Sequence, residues 1–305
     1  MQLPNYVNTF GAAMQRKYGH KVHKLTINAD FTCPNRDGSK GLGGCSFCNN
    51  ATFNPNGRRP PSVIEQLEAG KRVILKRTGA RHYLAYFQAY TNTYAAIEQL
   101  RALYDQALEH PDVVGLSVGT RPDCVPDPVL DLLCEYRDRG LEVWLELGLQ
   151  SANDHTLAQV NRGHGWAEYA DSARRARQRG LNLCTHLIVG MPGERRRDSL
   201  QSLARVLEVG TDGLKLHPLH VVKGTQLARQ WRQGEYQPLA FDDYVDTAVA
   251  MVQQTPAGII YHRLTGTASK DLLLAPLWCS QKWAVLNAIH DRLHYASICR
   301  AQGAA

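Results

Sequence analysis

Three cysteines lie close together near the start of the chain, and their number points to metal chemistry. Cys33, Cys45 and Cys48 fall within one short segment. A structural zinc ion takes four ligands, and an iron–sulfur cube also normally takes four thiolates. Because no further Cys or His nearby completes a set of four, the pattern predicts a metal centre with one position open to a substrate or cosubstrate. Structural or disulfide-bonded cysteines are the alternative, which an odd number fits poorly.

The residues around these cysteines suit a bound metal cluster. Cys45 and Cys48 form a CxxC pair, which is close enough to bind one cluster. Four glycines lie between Gly38 and Gly44, and glycine lets a backbone take left-handed conformations and pack tightly around a bulky ligand. Backbone N–H groups in such a loop can also donate hydrogen bonds to cluster sulfurs.

Composition predicts a cytoplasmic protein with a full hydrophobic core. The chain has 305 residues, of which 44% are hydrophobic. It has no apolar run of the ~18 residues that a membrane span needs, and the start Met1-Gln2-Leu3-Pro4 has no apolar signal core. In a reducing compartment most of the eight cysteines will be thiols, which favours metal ligation over disulfides.

The formal net charge is +7, and arginines are locally dense at 174–179 and 195–197. Two interpretations stay open. The arginines form solvated helix faces, or they form a patch that binds RNA or another polyanion. No signature of the common small RNA-binding modules is visible in the sequence.

Short apolar runs alternate with helical patterns along the chain. The predicted strands are 24–30, 82–88, 113–119, 141–148, 181–189 and 213–218, and the predicted helices are 62–77, 93–109, 128–139, 166–179 and 198–209. Gly140, Gly180 and Gly210 each follow a helix, as C-terminal capping glycines do. Serial βα units predict an α/β fold with a parallel sheet, namely a partial (β/α)6 TIM-like barrel with a C-terminal cap. The expected domains are an N-terminal extension (1–21), the barrel (22–255) and the cap (256–305).

The predicted strands carry polar residues on the face opposite the helices. In 141–148, Glu142, Trp144 and Glu146 alternate with leucine and valine, and His186 and His217 occupy the same face of later strands. A polar lining needs room for water or a ligand, which an open six-stranded barrel offers. Ligands of α/β sheets bind at the carboxyl ends of the strands, where the cysteine loop must also lie.

The motifs CPNRDG (33–38) and GGCSFCN (43–49), followed by this barrel pattern, resemble the radical SAM superfamily. Its members use a partial (β/α)6 barrel with three cluster cysteines after the first strand. The spacing here is Cx11Cx2C instead of the commoner Cx3Cx2C. The long form resembles the YhcC-type subfamily, which is related to elongator-type radical SAM domains. The resemblance covers roughly residues 5–297.

The resemblance implies an enzyme with two cofactors. Cys33, Cys45 and Cys48 would hold a [4Fe–4S] cluster whose fourth iron binds S-adenosylmethionine (SAM). Reductive cleavage of SAM would give a 5′-deoxyadenosyl radical that abstracts hydrogen from a substrate. A reductant such as flavodoxin or ferredoxin is then an expected partner. The substrate is unknown, with tRNA and a small metabolite as candidates, and no membrane is involved. The alternative is a non-catalytic, metal-bearing RNA-binding protein.

The same resemblance suggests which residues contact SAM. The segments GLQS (148–151) and NRG (161–163) resemble a block of coproporphyrinogen dehydrogenase relatives, in which the Gln and the Arg contact the ribose and the carboxylate. Arginine suits a carboxylate because it is a permanently charged, bidentate donor. Phe47 matches an aromatic near adenine. The expected SAM-binding residues are Phe47, Gln88, Thr91, Glu146, Gln150, Arg162 and His186.

Further residues are candidates for contact with the substrate. They are Arg121, His217, Arg263, Trp278 and Lys282. Ordinary structural roles remain the alternative for each of them. Cys124 and Cys279 are possible hydrogen-atom donors, although buried thiols without a chemical role are the simpler interpretation.

Overall fold

The structure is a computed structural model that describes residues 3–49 and 61–303. Nine strands are described: β1 (Val22–Ile27), β2 (His82–Phe87), β3 (Val113–Thr120), β4 (Glu142–Gln150), β5 (Asn182–Val189), β6 (Gly213–Pro218), β7 (Val221–Val222), β8 (Ile260–Arg263) and β9 (Leu273–Ala275). Seven of them form one parallel, curled half-barrel sheet in the order β1-β2-β3-β4-β5-β6-β8. Strands β7 and β9 form a separate antiparallel pair.

Ten α-helices are described, most of which connect the parallel strands and cover the outer face of the sheet. They are α1 (Phe10–Tyr18), α2 (Val63–Thr78), α3 (Ile97–Leu108), α4 (Asp127–Asp138), α5 (Asp154–Gln159), α6 (Trp166–Gln178), α7 (Arg196–Val209), α8 (Gln226–Arg232), α9 (Phe241–Gln254) and α10 (Lys282–Gly303). None of the helices in the described ranges is both long enough and apolar enough to cross a lipid bilayer.

Capping chemistry explains where several helices end. Ser62 begins α2, and its hydroxyl accepts a hydrogen bond from the amide of Glu65, whose carboxylate accepts one from the amide of Ser62 in return. The three glycines predicted to follow helices all have positive φ, at 85° for Gly140, 70° for Gly180 and 98° for Gly210. Only glycine takes this conformation without steric cost, so these positions turn the chain from helix into strand.

The predicted fold class is confirmed, with one strand more than expected. All six predicted strands and all five predicted helices are present, with shifted ends. The seventh strand, β8, comes from the segment expected to form the cap, and it pairs in parallel with β6. This strand is only four residues long, and the sequence of the segment does not show that it pairs with β6. The expected domain boundaries remain predictions.

Helix α1 fills the amino-terminal end of the half-barrel. Phe10 and Met14 pack inside the sheet against inward-facing residues of four strands, which are Val22, Leu84, Trp144 and Cys184. The segment leading into α1 also joins the far edge of the sheet, because the amide of Tyr261 donates to the carbonyl of Asn8 at 2.7 Å. Among the described residues, α1 therefore fills this end of the lumen, and the carboxyl ends of the strands remain available for a ligand.

We expect replacement of Phe10 by alanine to lower the free energy of unfolding by about 3 kcal/mol, because its ring leaves a cavity between Trp144 and His262. Phe10 is 9% exposed, whereas Val73 on α2 is 61% exposed and serves as the control. Urea unfolding followed by circular dichroism measures both variants. A Phe10→Ala variant as stable as Val73→Ala would show that α1 does not support the barrel.

Candidate active site

A pocket opens at the carboxyl ends of the strands, beneath the loop that follows β1. It brings together eleven of the residues that the sequence singled out: Cys33, Cys45, Phe47, Cys48, Gln88, Thr91, Arg121, Gln150, Arg162, His186 and His217. It is also lined by Arg36, Tyr86, Tyr90 and His220, to which the sequence gave no site role. These residues are hard to assign from one sequence, because a tyrosine or histidine that lines a pocket has the same sequence pattern as one that packs in the core.

The cysteine loop is held in place by the segment after β4. The Asn35 amide donates to the carbonyl of Asn161 at 2.5 Å, and the Asn161 amide donates to the carbonyl of Gly44 at 2.9 Å. A Cβ atom at Gly163 would lie 2.9 Å from the Asn35 side-chain oxygen, so glycine allows this close approach. The NRG motif therefore supports the shape of the loop as well as supplying Arg162.

The three cysteines are free thiols on one wall of this pocket. None of the eight cysteines forms a disulfide, so the disulfide alternative is wrong. Burial, and then the neighbouring Cys45, raise the pKa of the Cys48 thiol to about 11. A bound metal would displace the thiol protons, since thiolates are the ligating form.

Positive charge surrounds the thiols. The Arg162 guanidinium donates to the Cys45 sulfur at 3.5 Å and to the carbonyl of Gly148 at 2.5 Å. Arg36 donates to the carbonyl of Cys48 at 2.6 Å, and Arg121 lines the same pocket. No carboxylate is among the residues that line the pocket in the described ranges. Three thiols beside three arginines fit a metal cluster whose thiolate ligands bring net negative charge.

The GLQS and NRG segments converge as their predicted roles require. Gln150 has a φ of 80° at a bulge in the pairing between β4 and β5. A Cβ atom at Gly148 would lie 2.8 Å from the Gln150 amide nitrogen and 3.0 Å from the Arg162 guanidinium. Gly148 therefore lets both side chains lie across the end of β4, where they face the pocket together.

Three other expected SAM-binding residues, Phe47, Thr91 and Gln88, line the pocket and differ in their contacts with the protein. Phe47 is half-buried against an apolar cluster that includes Val160 and Leu219. Thr91 is buried, and its hydroxyl has no hydrogen-bond partner in the described part of the chain. An unpaired buried hydroxyl is costly, which suits a group that binds a ligand. Gln88 accepts a long hydrogen bond of 3.4 Å from Thr26.

A layer of polar side chains lies directly below the pocket, and every strand of the half-barrel contributes one of them. We call this set the ionic layer: Lys24, Tyr86, Ser117, Glu146, His186, Lys215 and His262. Only Tyr86 and His186 also line the pocket. The layer separates the pocket above from the apolar packing around α1 below.

Glu146 is the centre of the ionic layer. One carboxylate oxygen accepts from Lys24 and, at 2.5 Å, from Ser117; the other accepts from Lys215 and, at 2.7 Å, from His186. Lys24 also donates to His262 Nδ1 at 2.8 Å. Glu146 is 0% exposed and lies outside the pocket lining. Its expected contact with SAM stays a prediction, and its four protein donors suit a supporting role.

Electrostatics keeps Glu146 ionised and His186 neutral. Burial opposes ionisation, yet Lys215 and Lys24 hold the pKa of the Glu146 carboxyl well below its usual value. Burial, and then Lys215, lower the pKa of His186 to about 4. Cys184 also lies close to Glu146 and His186, but burial raises the pKa of its thiol and two lysines already bind the carboxylate. This group therefore suits an ion-pair network better than a second metal.

Three expected substrate residues lie outside the pocket lining. The indole of Trp278 donates to the carbonyl of Leu239 at 3.1 Å and packs against Tyr244, so it belongs to the core. Lys282 is exposed at the first residue of α10. Arg263 is half-buried at the end of β8, and its charge adds to burial in lowering the pKa of His220.

The arginine-dense helix α6 carries little free positive charge. Arg175 pairs with Asp171 at 2.8 Å, Arg177 with Asp212 at 2.8 Å, and Arg179, just after the helix, with Asp131 at 2.9 Å. These pairs favour a solvated helix face over a polyanion-binding patch.

Family models match most of the chain. The radical SAM superfamily model matches residues 33–206, and the Radical_SAM C-terminal domain model matches residues 211–295. Protein YhcC of Escherichia coli (strain K12) is 53% identical over 283 residues, which are 93% of this chain and 91% of that protein. The uncharacterized protein YtqA of Bacillus subtilis (strain 168) is 37% identical over 94% of this chain and 89% of its own length. These matches confirm the predicted family and subfamily.

Solved structures agree on the fold. The archaeal Elp3 of Methanocaldococcus infernus superimposes with a TM-score of 0.59 at 18% sequence identity. The match covers 82% of this chain and 57% of that protein, so this chain spans little more than half of its length. At this identity the likeness supports the half-barrel architecture alone.

We expect the free energy of unfolding to fall as the pH drops from 7 to 5.5. Burial lowers the pKa of six histidines from the usual 6.5, namely the half-buried His23 and five more deeply buried ones, and the folded protein keeps these five neutral while the unfolded chain binds their protons. Stability is then lost with falling pH, by roughly 1 kcal/mol per histidine over this interval. The five are His164, His186, His217, His220 and His262.

Urea unfolding of the metal-free protein at several pH values measures this loss. His220→Gln should reduce the pH dependence, whereas His155→Gln, at an exposed position on α5, should leave it unchanged. A stability that does not change between pH 7 and pH 5.5 would contradict the expectation.

Proposed function

Because the chain belongs to the radical SAM superfamily of enzymes, we propose that it binds a [4Fe–4S] cluster through Cys33, Cys45 and Cys48 and reductively cleaves SAM. One observation carries the proposal: three free thiols share a pocket with the Gln150 and Arg162 pair. The pocket lies at the end of the half-barrel where parallel α/β sheets bind their ligands.

The three thiolates would leave one iron of the cube without a protein ligand. When bound, such a cluster would supply the one electron that breaks the 5′ C–S bond of the SAM sulfonium, giving methionine and a 5′-deoxyadenosyl radical. Arg36, Arg121 and Arg162 would balance the negative charge of the thiolates and the added electron. The buried walls would exclude water from the reacting groups.

Each proposed SAM contact follows from the chemistry of its side chain. The Nε atom of Arg162 is buried without a partner among the described residues, so the guanidinium has a donor left for a carboxylate. Gln150 can exchange hydrogen bonds with ribose hydroxyls, and Phe47 offers an aromatic face to adenine. The unpaired Thr91 hydroxyl, Gln88 and His186 complete the set on the remaining walls.

For the substrate, we propose contacts with Arg121, His217 and Arg263. Arg121 is buried and binds Asp123 through two hydrogen bonds, of 2.9 and 3.0 Å, while its Nη1 atom has no partner in the described ranges. Hydrogen abstraction from this substrate, a tRNA or a small metabolite, completes the proposed reaction. A one-electron donor such as flavodoxin or ferredoxin is its proposed partner.

Cluster assembly tests the proposal directly. After anaerobic reconstitution with iron and sulfide, the wild-type protein should hold one cube per chain and, with dithionite and SAM, release 5′-deoxyadenosine. Cys33→Ser should lose at least about 90% of that product because the cube loses a ligand. The matched control is Cys134→Ser, since this half-buried cysteine on α4 is outside the pocket lining. Stoichiometric zinc without iron, or equal product from Cys33→Ser, would refute the proposal.

Arg162 gives a second test. We expect Arg162→Gln to weaken SAM binding by roughly 10- to 100-fold, the usual loss for a charged hydrogen bond. Equilibrium dialysis with the reconstituted protein measures affinity, after iron analysis has shown equal cluster content. Arg205→Gln is the control, because this arginine lies over Trp166 at 4.1 Å and outside the pocket lining. An unchanged dissociation constant for Arg162→Gln would remove its assigned role.

A further inference from the structure

His186 belongs to two environments at once. Its ring lines the pocket and is 17% exposed, while Nε2 lies 2.7 Å from a carboxylate oxygen of Glu146 in the ionic layer below. Nδ1 has no hydrogen-bond partner in the part of the chain that the structure describes. The two ring nitrogens therefore differ, since Nε2 is bound to the protein and Nδ1 is free to bind a ligand.

The hydrogen bonds around Glu146 determine which nitrogen carries the proton. Lys24 and Lys215 both donate to the carboxylate, and so does Ser117 at 2.5 Å. An ionised carboxylate only accepts hydrogen bonds, so His186 must donate to it from Nε2. A neutral imidazole with its proton on Nε2 keeps a lone pair on Nδ1.

We propose that Glu146 and Lys215 are positioning residues that hold His186 as the Nε2–H tautomer, so that Nδ1 accepts a hydrogen bond from a hydroxyl group of the bound molecule. Lys215 contributes by keeping Glu146 ionised; it donates to the carboxylate and, at 2.8 Å, to the Tyr86 hydroxyl. The inference rests on the proposed function, because it takes His186 as a contact of the bound SAM.

Charge favours a hydroxyl over an ammonium group as the donor to Nδ1. The ionic layer holds two lysines for one carboxylate. Arg36, Arg121 and Arg162 line the pocket, and no carboxylate does so among the described residues. The second lysine below His186 would repel a cation at Nδ1, whereas it would not repel a neutral hydroxyl.

The tautomer can be measured in the metal-free protein. With 15N-labelled histidine, long-range 1H–15N NMR distinguishes the two tautomers and the cation, and His186→Asn identifies the signal. We expect Nε2–H in the wild type. In Glu146→Gln the new amide can donate to Nε2, so the signal should shift towards Nδ1–H. Either the Nδ1–H form or the cation in the wild type at pH 7 would overturn the proposal.

A matched control variant is available on the same strand. Glu142 is also buried, and it accepts hydrogen bonds from Lys17, Tyr18 and Trp144 but does not contact His186. Glu142→Gln should leave the His186 tautomer as in the wild type. If Glu146→Gln fails to fold because two lysines lose their anion, the double variant Glu146→Gln/Lys215→Met removes one of those charges. An unchanged tautomer in the folded variant would overturn the proposal.

Binding of SAM analogues tests the acceptor role. The 2′-deoxy and 3′-deoxy analogues each lack one ribose hydroxyl, and these are the hydroxyl groups of SAM. In the reconstituted wild type we expect one of the analogues to bind about tenfold more weakly than SAM. That difference should shrink to within twofold in Glu146→Gln and persist in Glu142→Gln.

The outcomes separate this inference from the proposed function. If the wild type releases 5′-deoxyadenosine but binds SAM and both analogues equally, the acceptor role of His186 is wrong while the enzyme assignment stands. If the wild type neither takes up a cluster nor binds SAM, the proposed function fails, and the hydroxyl contact that depends on it fails too. The NMR measurement on the metal-free protein then still decides whether Glu146 sets the tautomer.

Discussion

The pairing of one buried carboxylate with two lysines is the interaction on which the interior of this half-barrel depends. Lys24 on the edge strand β1 and Lys215 on β6, next to the other edge, are far apart in the sheet order, and Glu146 on the central strand binds both. A buried ammonium group without an anion is strongly destabilising, so the three charges form a unit. Ser117, His186 and His262 satisfy the remaining hydrogen-bonding positions.

This unit sets the depth of the pocket. Below it, Phe10, Met14 and Trp144 fill the lumen with apolar packing. Above it lie the cysteine loop and three arginines, of which Arg121 is paired with Asp123. The ionic layer thus separates the pocket from this apolar packing, and its hydrogen bond from His186 to Glu146 holds the imidazole in one orientation.

The sequence predicted well the features that depend on one strand or one motif. Strict alternation in β4 put Glu146 on the inner face, and the GLQS and NRG motifs brought Gln150 and Arg162 together. It did not predict the partners of Glu146, because Lys24 and Lys215 meet it only after distant strands enter one sheet. Asn35 escaped notice for the same reason, since its contacts depend on how two loops close on each other.

The positions of Trp278 and strand β8 were not predicted for a similar reason. Trp278 was expected to face a substrate because its segment was expected to cap the open barrel, but its indole partner, Leu239, is distant in sequence. Strand β8 was expected within a cap because it follows the six predicted βα units. Its membership of the sheet depends on the pairing of Ile260, Tyr261 and Arg263 with residues 213–215 of β6, which the segment alone does not reveal.

The junction between the two ends of the chain has a consequence for biosynthesis. The segment before α1 binds the amide of Tyr261, and the Tyr6 hydroxyl lies 2.5 Å from His294. A ribosome makes Tyr261 and His294 after strands β1 to β6, so the contacts that join α1 to β8 form after those strands are complete. Until then the Phe10 ring lacks its contact with His262 on β8.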